Sequence, residues 1–279
     1  MIYLDNAATT RPCAEAVAAV NDALTARWGN PSAVHRLGIE AARLLRTARQ
    51  DVAEAMGAET ERVFFTSGGT EADNWAIFSA AERLGKRGRH IVTTAVEHHA
   101  VLHPMQKLEQ QGFSVTYLQP DAEGRVSLEA LQAALRPDTI LVSIMMVNNE
   151  SGAVMPIERM ARLTHRVCPN ALFHTDAVQG FFKVPFRART LGADLISVSA
   201  HKVHGIKGAD ARQMVGADAA GAVIGSAELL PAGAALRLCC GFPPGKLRCG
   251  DGPDVKNGAA HSLTTTGPSG GRRHIPAER

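Results

Sequence analysis

The chain has 279 residues, of which 45% are hydrophobic, and a formal net charge of +3. This charge is too small to argue for nucleic acid binding, and no long basic run is present. No apolar run is long enough to span a bilayer, and the first residues lack the pattern of a signal peptide. We therefore expect a cytoplasmic protein that contacts neither nucleic acid nor membrane.

Helix-like and strand-like segments alternate along the first 210 residues. Predicted helices cover residues 12–24, 36–57, 71–85, 99–111, 127–135 and 157–167. Predicted strands cover residues 63–67, 90–95, 114–119, 139–147, 171–177 and 194–200. This alternation predicts βαβ units and hence an α/β fold whose sheet is mainly parallel and flanked by helices. Ligands of such sheets bind beyond the carboxyl ends of the strands, where the polar residues of this chain gather.

The composition changes after Ala209. Residues 211–279 contain 12 Gly, 12 Ala and 6 Pro in 69 positions, and Phe242 is their only aromatic residue. Such a composition is poor at burying a core. We therefore predict a large domain over 1–210 and a tail over 211–279 that is disordered or out of frame.

The segment TSGGTEADN (66–74) joins a predicted strand to a predicted helix. Its small residues allow backbone N–H groups to approach an anion, and the helix dipole adds to the attraction. The segment lacks the spacing of a P-loop. It predicts a phosphate cradle, with an ordinary capped turn as the alternative.

The segment HTDAVQG (174–180) places Asp176 at the end of a strand. An acid there can hold a protonated ring nitrogen, as pyridoxal phosphate requires, although Asp is also a common helix N-cap. VNNESG (147–152) follows another strand. Its amides either orient a carboxylate or form a turn.

The segment VEHHAVLH (96–103) carries three histidines. His98 could stack on a flat cofactor and move protons near neutral pH. Metal binding through His98, His99 and His103 is a weaker alternative, and no zinc-type cysteine spacing is present.

Lys202 follows an apolar strand in SVSAHKVHG (197–205). A lysine that forms a Schiff base must be neutral, and burial behind a strand would lower its pKa. A lone lysine is usually a surface residue. Together, however, these segments supply a phosphate cradle, a ring-nitrogen acid, a stacking group and an amine, which is the set that pyridoxal 5′-phosphate needs.

Seven segments, in this order, resemble the cysteine desulfurases of the nitrogen-fixation type. These belong to the class V aminotransferase superfamily and to the fold-type I pyridoxal phosphate enzymes. The segments are YLDNAATT (3–10), GNPSAVH (29–35), FTSGGTEADN (65–74), VEHHAVL (96–102), VNNESG (147–152), HTDAVQ (174–179) and SVSAHKVHGIKG (197–208). The resemblance covers roughly residues 1–210 and implies the large domain of a fold-type I transferase.

The resemblance implies a role for each residue of the candidate site. Lys202 would bind the cofactor aldehyde covalently, and His98 would stack on the ring and help to move protons. Asp176 would pair with the ring nitrogen, and Gln179 would reach the ring hydroxyl. Lys202 and His98 are thus the candidate catalytic residues.

The phosphate and substrate contacts are also implied by the resemblance. Gly69 and Thr70 would bind the phosphate together with Ser199 and His201. Asn149 would lie near the ring and the substrate carboxylate. No residue is assigned to a metal.

The activity implied by the resemblance is conversion of L-cysteine to L-alanine. The sulfur passes through an enzyme persulfide to iron–sulfur cluster assembly or another acceptor protein, and family members are homodimers. A different class V aminotransferase or lyase, such as a selenocysteine lyase, is one alternative. A catalytically dead chain that acts only as a binding partner is another.

The sequence departs from the family pattern after residue 210. We find no convincing match to the small C-terminal domain or to its persulfide loop, and Cys239, Cys240 and Cys249 lie in no matching motif. A frameshift near codon 210 would explain the change, and a genuine divergent tail is the rival explanation. Either way, we expect an inactive or impaired desulfurase and a doubtful homodimer.

Overall fold

One mainly parallel sheet organises the part of the chain that the structure, a computed structural model, describes: residues 2–208 and 210–214. Its strands are β1 (Val63–Thr66), β2 (His90–Thr94), β3 (Ser114–Leu118), β4 (Thr139–Ser143), β5 (Leu172–Asp176), β6 (Leu195–Ser199) and β7 (Asp210–Met214). They lie in the order β1-β7-β6-β5-β4-β2-β3. Only β7 is antiparallel to its neighbours, β1 and β6, so the predicted fold class is confirmed.

Every predicted helix is present within two residues of its expected bounds. The helices are α1 (Ala14–Thr25), α2 (Arg36–Met56), α3 (Gly69–Leu84), α4 (His99–Gln110), α5 (Leu128–Ala134), α6 (Ile157–Val167) and the unpredicted α7 (Ala188–Leu191). Gly57 ends α2 as expected, because its φ of 65° is a left-handed conformation that glycine adopts without steric cost. The sequence did not predict α7 or the 3₁₀ turns at Thr60–Arg62 and Ala200–Lys202, since such short segments show no period.

The strand predicted over 139–147 was too long, because β4 ends at Ser143. The Met145 N–H donates to the side-chain oxygen Oε1 of Glu97 at 2.8 Å rather than to a strand. The backbone then turns back, and the Met155 N–H donates to the Met146 carbonyl at 3.0 Å. The run is apolar because it is buried, and burial alone does not make a strand.

The sheet is held by two apolar clusters. The larger contains Leu131, Met160 and Phe173, and the smaller contains Ile77 and Met105, all fully buried. Each such side chain stabilises the fold by roughly 1.5–3 kcal/mol. This packing fixes the strand ends, and with them the loops that carry the polar residues.

Strand β7 crosses the predicted domain boundary at residue 210, since it continues to Met214 between β1 and β6. The rest of the predicted tail, residues 215–279, lies outside the described residues. Within the described ranges, no helix has the length and apolarity needed to cross a membrane.

Candidate active site

A cleft of about 570 Å³ lies beyond the carboxyl ends of β1, β2, β4, β5 and β6. The structure brings every residue of the predicted site to its wall: Gly69, Thr70, His98, Asn149, Asp176, Gln179, Ser199, His201 and Lys202. The sequence reasoning missed further wall residues, among them Asp5, Ala7, Ala8 and Asp73. Parallel strands place these loops at one edge, as expected for an α/β sheet.

The Lys202 amine is bound by the main chain of an N-terminal segment. Its Nζ donates to the carbonyl of Ala7 at 2.7 Å and to that of Ala8 at 2.8 Å. We call residues 5–10 the N-terminal strap. Lys202 follows β6 and is half-buried, and the sequence did not predict its two carbonyl acceptors.

Two threonines attach the strap to the turn that carries Lys202. The Thr10 N–H and hydroxyl donate to the His201 carbonyl at 2.8 and 2.9 Å. The Thr10 hydroxyl also accepts the His204 N–H at 2.7 Å. The Thr9 hydroxyl lies 3.1 Å from Nδ1 of His201. The position of the Lys202 amine therefore depends on residues some 190 positions earlier in the chain.

Gln179 connects the strap to a second lysine. Its Nε2 donates to the Ala7 carbonyl at 2.8 Å, and its Oε1 accepts from Nζ of Lys183 at 3.0 Å. Gln179 and Lys202 therefore share one carbonyl oxygen. Burial, with a smaller contribution from the charge of Lys202, lowers the pKa of Lys183.

Asp176 is a buried acid at the end of β5. Its Oδ1 accepts the Val178 N–H at 2.8 Å, so it also caps the following turn, as the alternative interpretation proposed. Burial, with a smaller contribution from Asp73, raises the pKa of Asp176 to about 7. A cation bound against this carboxyl group would favour its charged form.

Asp73 belongs to the cleft wall, lies on α3 and is buried. Its Oδ1 is 3.5 Å from Nε2 of the fully buried His174. The ring of His174 contacts the hydroxyls of Ser143 at 2.8 Å and Ser197 at 3.1 Å, which joins β4, β5 and β6. The helical spacing of Asp73 from Thr70, three residues earlier, was the signal that could have found it, because such residues share a helix face.

His98 begins α4 as its N-cap. The ring Nδ1 accepts the Ala100 N–H at 3.1 Å, so Nδ1 carries no proton and the neutral ring is protonated at Nε2. Burial lowers the pKa of His98, and the charges of His99 and Lys202 lower it further. The ring is thus neutral near pH 7. In the described ranges, no group of three or more His, Cys, Asp or Glu side chains is arranged to hold a metal ion.

Glu97, the residue before His98, is a buried acid that the sequence reasoning passed over. Its Oε1 accepts the Thr94 hydroxyl and the Met145 N–H, both at 2.8 Å. Burial raises the pKa of Glu97 to about 8, against these two hydrogen bonds, which favour the charged form. Its place two residues after the strand predicted over 90–95 was the available signal, because ligands of such sheets bind beyond the carboxyl ends of the strands.

The predicted phosphate cradle begins α3 at Gly69. A Cβ atom at Gly69 would lie 3.2 Å from Cγ2 of Val178, so glycine permits this close approach. The N–H and hydroxyl of Ser67 donate to the Glu71 carboxylate at 2.6 and 2.7 Å, which shapes the turn. Opposite, the buried Oγ of Ser199 has no hydrogen-bond partner within the described part of the chain.

The side-chain amides of Asn148 and Asn149, which follow β4, make different contacts. Asn148 forms the turn, because its Oδ1 accepts the N–H groups of Glu150 at 3.0 Å and Ser151 at 2.8 Å. Asn149 lines the cleft, and its Nδ2 donates to Oε1 of Glu150 at 2.6 Å. The turn interpretation therefore holds for Asn148, and the role of Asn149 toward a carboxylate of the substrate stays a prediction.

The comparison with known proteins gives a consistent family. The model for aminotransferase class-V matches residues 2–211. A cysteine desulfurase IscS of Dictyoglomus turgidum is 46% identical over 210 residues, which are 75% of this chain and 53% of that protein. A cysteine desulfurase of Cereibacter sphaeroides is 50% identical over 212 residues, which are 75% of this chain and 54% of that protein. The chain thus spans about half the length of the curated relatives it matches.

Solved structures with the same fold include a NifS-like protein, with a TM-score of 0.80 and 36% identity. The match covers 86% of this chain and 70% of that one. Another is SspA in complex with cysteine, with a TM-score of 0.77, 34% identity, and coverage of 86% and 72%. The predicted fold-type I architecture is confirmed. The chain therefore belongs to the aminotransferase class-V family, with cysteine desulfurases as its curated relatives.

Proposed function

We propose that this chain binds pyridoxal 5′-phosphate in the cleft and serves a cysteine desulfurase activity that converts L-cysteine to L-alanine. The observation that carries the proposal is the convergence of the Lys202 amine, the Asp176 carboxyl group and the His98 ring on one cleft. The relatives of the chain, which are named as cysteine desulfurases, support the choice of reaction.

The residues present fit this cofactor. Gln179 and Lys202 donate to the same Ala7 carbonyl, which suits the ring hydroxyl and the aldehyde because these are neighbouring substituents of the pyridine ring. The N-terminus of α3 at Gly69 and the unpartnered hydroxyl of Ser199 suit a phosphate group. The remaining proposed phosphate contacts, which also line the cleft, are those of Thr70 and His201.

Pyridoxal phosphate, when bound, supplies an electron sink for cleavage of a bond at the α-carbon of the amino acid. Each residue of the site has its own task toward this cofactor. The Asp176 carboxylate holds the ring nitrogen in its protonated form. The neutral His98 stacks on the ring and carries a proton at Nε2. Asn149 orients the substrate carboxylate, and Lys202 supplies the amine that reacts with the aldehyde.

The described part of the chain places no cysteine at the cleft that could accept the sulfur in the proposed reaction. Of the cysteines in the described ranges, neither Cys13 nor the buried Cys168 lines its wall. We therefore propose that this chain binds the cofactor but is impaired in releasing sulfur. The persulfide, the transfer to iron–sulfur cluster assembly, the homodimer and the cytoplasmic location stay predictions.

Borohydride reduction tests cofactor binding directly. Reduction of the purified protein loaded with pyridoxal phosphate should fix one pyridoxyl group to Lys202, as read by peptide mass spectrometry. Lys202→Ala should abolish both the label and the yellow absorbance. Lys86→Ala is the matched control and should leave both intact, because Lys86 is exposed beyond the far end of α3.

A colourless wild-type protein that takes up no added cofactor would contradict the proposal. Label on a lysine other than Lys202 would contradict the assignment of the reactive amine. Where the cofactor binds, formation of alanine from L-cysteine, compared with that from L-selenocysteine, tests the substrate.

A further inference from the structure

We infer that Lys183 is a positioning residue that fixes the orientation of the Gln179 side-chain amide. In this orientation the N–H₂ group of Gln179, rather than its oxygen, faces the strap and the cleft. The inference deepens the proposed function and rests on it for the role of Gln179 toward a bound ring. Lys183 belongs to none of the segments that the sequence reasoning assigned to the site.

The chemistry of the two contacts sets the orientation. An ammonium group has only donors, so the Gln179 atom 3.0 Å from Lys183 Nζ must be the oxygen. A backbone carbonyl only accepts, so the Gln179 atom 2.8 Å from the Ala7 oxygen must be the nitrogen. The two assignments are independent and agree.

The reversed amide would be opposed at both ends. It would place the Gln179 oxygen against the Ala7 carbonyl oxygen and the Gln179 N–H₂ group against the Lys183 ammonium. The bond from Lys183 is charge-assisted and therefore stronger than one between neutral groups. Gln179 is only 7% exposed, whereas its two partner residues, Lys183 and Ala7, are exposed, so the orientation depends on the two hydrogen bonds themselves.

The orientation matters because of the position of Lys202. Its Nζ donates to the same Ala7 carbonyl at 2.7 Å, so the Gln179 N–H₂ group and the reactive amine lie side by side. A donor at this point stabilises a ring oxygen in its ionised form, whereas an acceptor would oppose it. Lys183 thus acts through Gln179 on the proton affinity of the ring hydroxyl.

The orientation is first tested without cofactor, by following the side-chain amide resonances of ¹⁵N-labelled full-length protein. Gln179→Ala identifies the Gln179 signal. Lys183→Met should move that signal, Lys183→Arg should keep it near its wild-type position, and Lys86→Met should leave it unchanged. An unmoved Gln179 signal in Lys183→Met would overturn the inference, whether or not the protein binds pyridoxal phosphate.

The second measurement uses the loaded protein and a double-mutant cycle. Lys183→Met should weaken pyridoxal phosphate binding by about three- to tenfold and raise the pH midpoint of the cofactor absorbance change, with Lys183→Arg near wild type. In the Gln179→Ala background, Lys183→Met should have no further effect. Equal effects in both backgrounds would show that Lys183 acts only as a nearby charge, which would overturn the inference.

The two measurements separate the possible failures. A wild-type protein that takes up no pyridoxal phosphate defeats the proposed function, and the amide resonances then decide the role of Lys183 on their own.

Discussion

His98 combines two tasks, because its ring lines the cleft while its Nδ1 caps α4. The two tasks can be separated by substitution. Asn at this position keeps a side-chain acceptor for the helix N-terminus, and Ala keeps none. We therefore expect His98→Ala to lower the free energy of unfolding by about 1 kcal/mol, and His98→Asn to lower it by less than about 0.5 kcal/mol.

Urea unfolding of the apoprotein measures the cap, and the absorbance of added pyridoxal phosphate measures the ring. Both variants should lose the wild-type cofactor spectrum, since both lack the stacking group. Equal unfolding midpoints for the Ala and Asn variants would show that the cap contributes nothing.

At the scale of elements, Glu97 joins the end of β2 to the segment that follows β4. Its folded pKa of about 8 lies above the ordinary value of 4.5, so the folded state retains a proton that the unfolded state releases. The stability from the neutral carboxyl group is complete below about pH 4.5 and is lost as the pH rises toward 8.

We therefore expect the apoprotein to be less stable at pH 8 than at pH 5.5, by roughly 3 kcal/mol from Glu97 alone. Asp176, with its pKa raised to about 7, acts in the same direction. Glu97→Gln should remove much of the slope, because the amide stays neutral. Glu82→Gln, on the exposed face of α3, is the control and should leave the dependence of stability on pH unchanged. The urea midpoints of unfolding at pH 5.5 and pH 8 measure this dependence for each variant.

The elements themselves were largely predictable from the sequence. The pattern over 157–167 gave α6 with its observed bounds, because that helix has one buried face and one exposed face. The end of β4 was not predictable, because it depends on a contact with Glu97, 48 residues earlier. Strand β7 was missed because its residues are mostly polar and lack alternation.

The candidate site was predictable where a titratable side chain lies at or just after the end of a strand, as with Asp176 and Lys202. The strap lies within a segment that resembles the family, YLDNAATT (3–10), but it binds Lys202 through main-chain carbonyls, which cannot be identified from the residue types. Lys183 was missed for a related reason. Only the fold shows that its amine meets Gln179.

At the scale of the whole molecule, the strap connects the beginning of the described chain to the turn after β6. Thr10, which is 4% exposed, is its main attachment. Thr10→Val keeps the shape but leaves the His204 N–H without its acceptor, which costs roughly 1–3 kcal/mol. Thr10→Ser keeps the hydroxyl.

We expect the amides of residues 5–10 to exchange faster with deuterium in Thr10→Val than in Thr10→Ser or the wild type, because the strap opens locally. Mass spectrometry of the exchanged peptides measures this, with a peptide from α6 as the internal reference. Unchanged exchange in Thr10→Val would mean that other contacts hold the strap.

The use of main-chain carbonyls to hold Lys202 has a consequence for how this protein tolerates mutation. A change of side chain at Ala7 or Ala8 does not remove the oxygen atoms that bind Lys202, because these atoms belong to the main chain. The contact that sets the reactive amine is thus nearly invisible to alanine scanning, and only a change of the backbone itself, such as an ester in place of an amide, would reveal it.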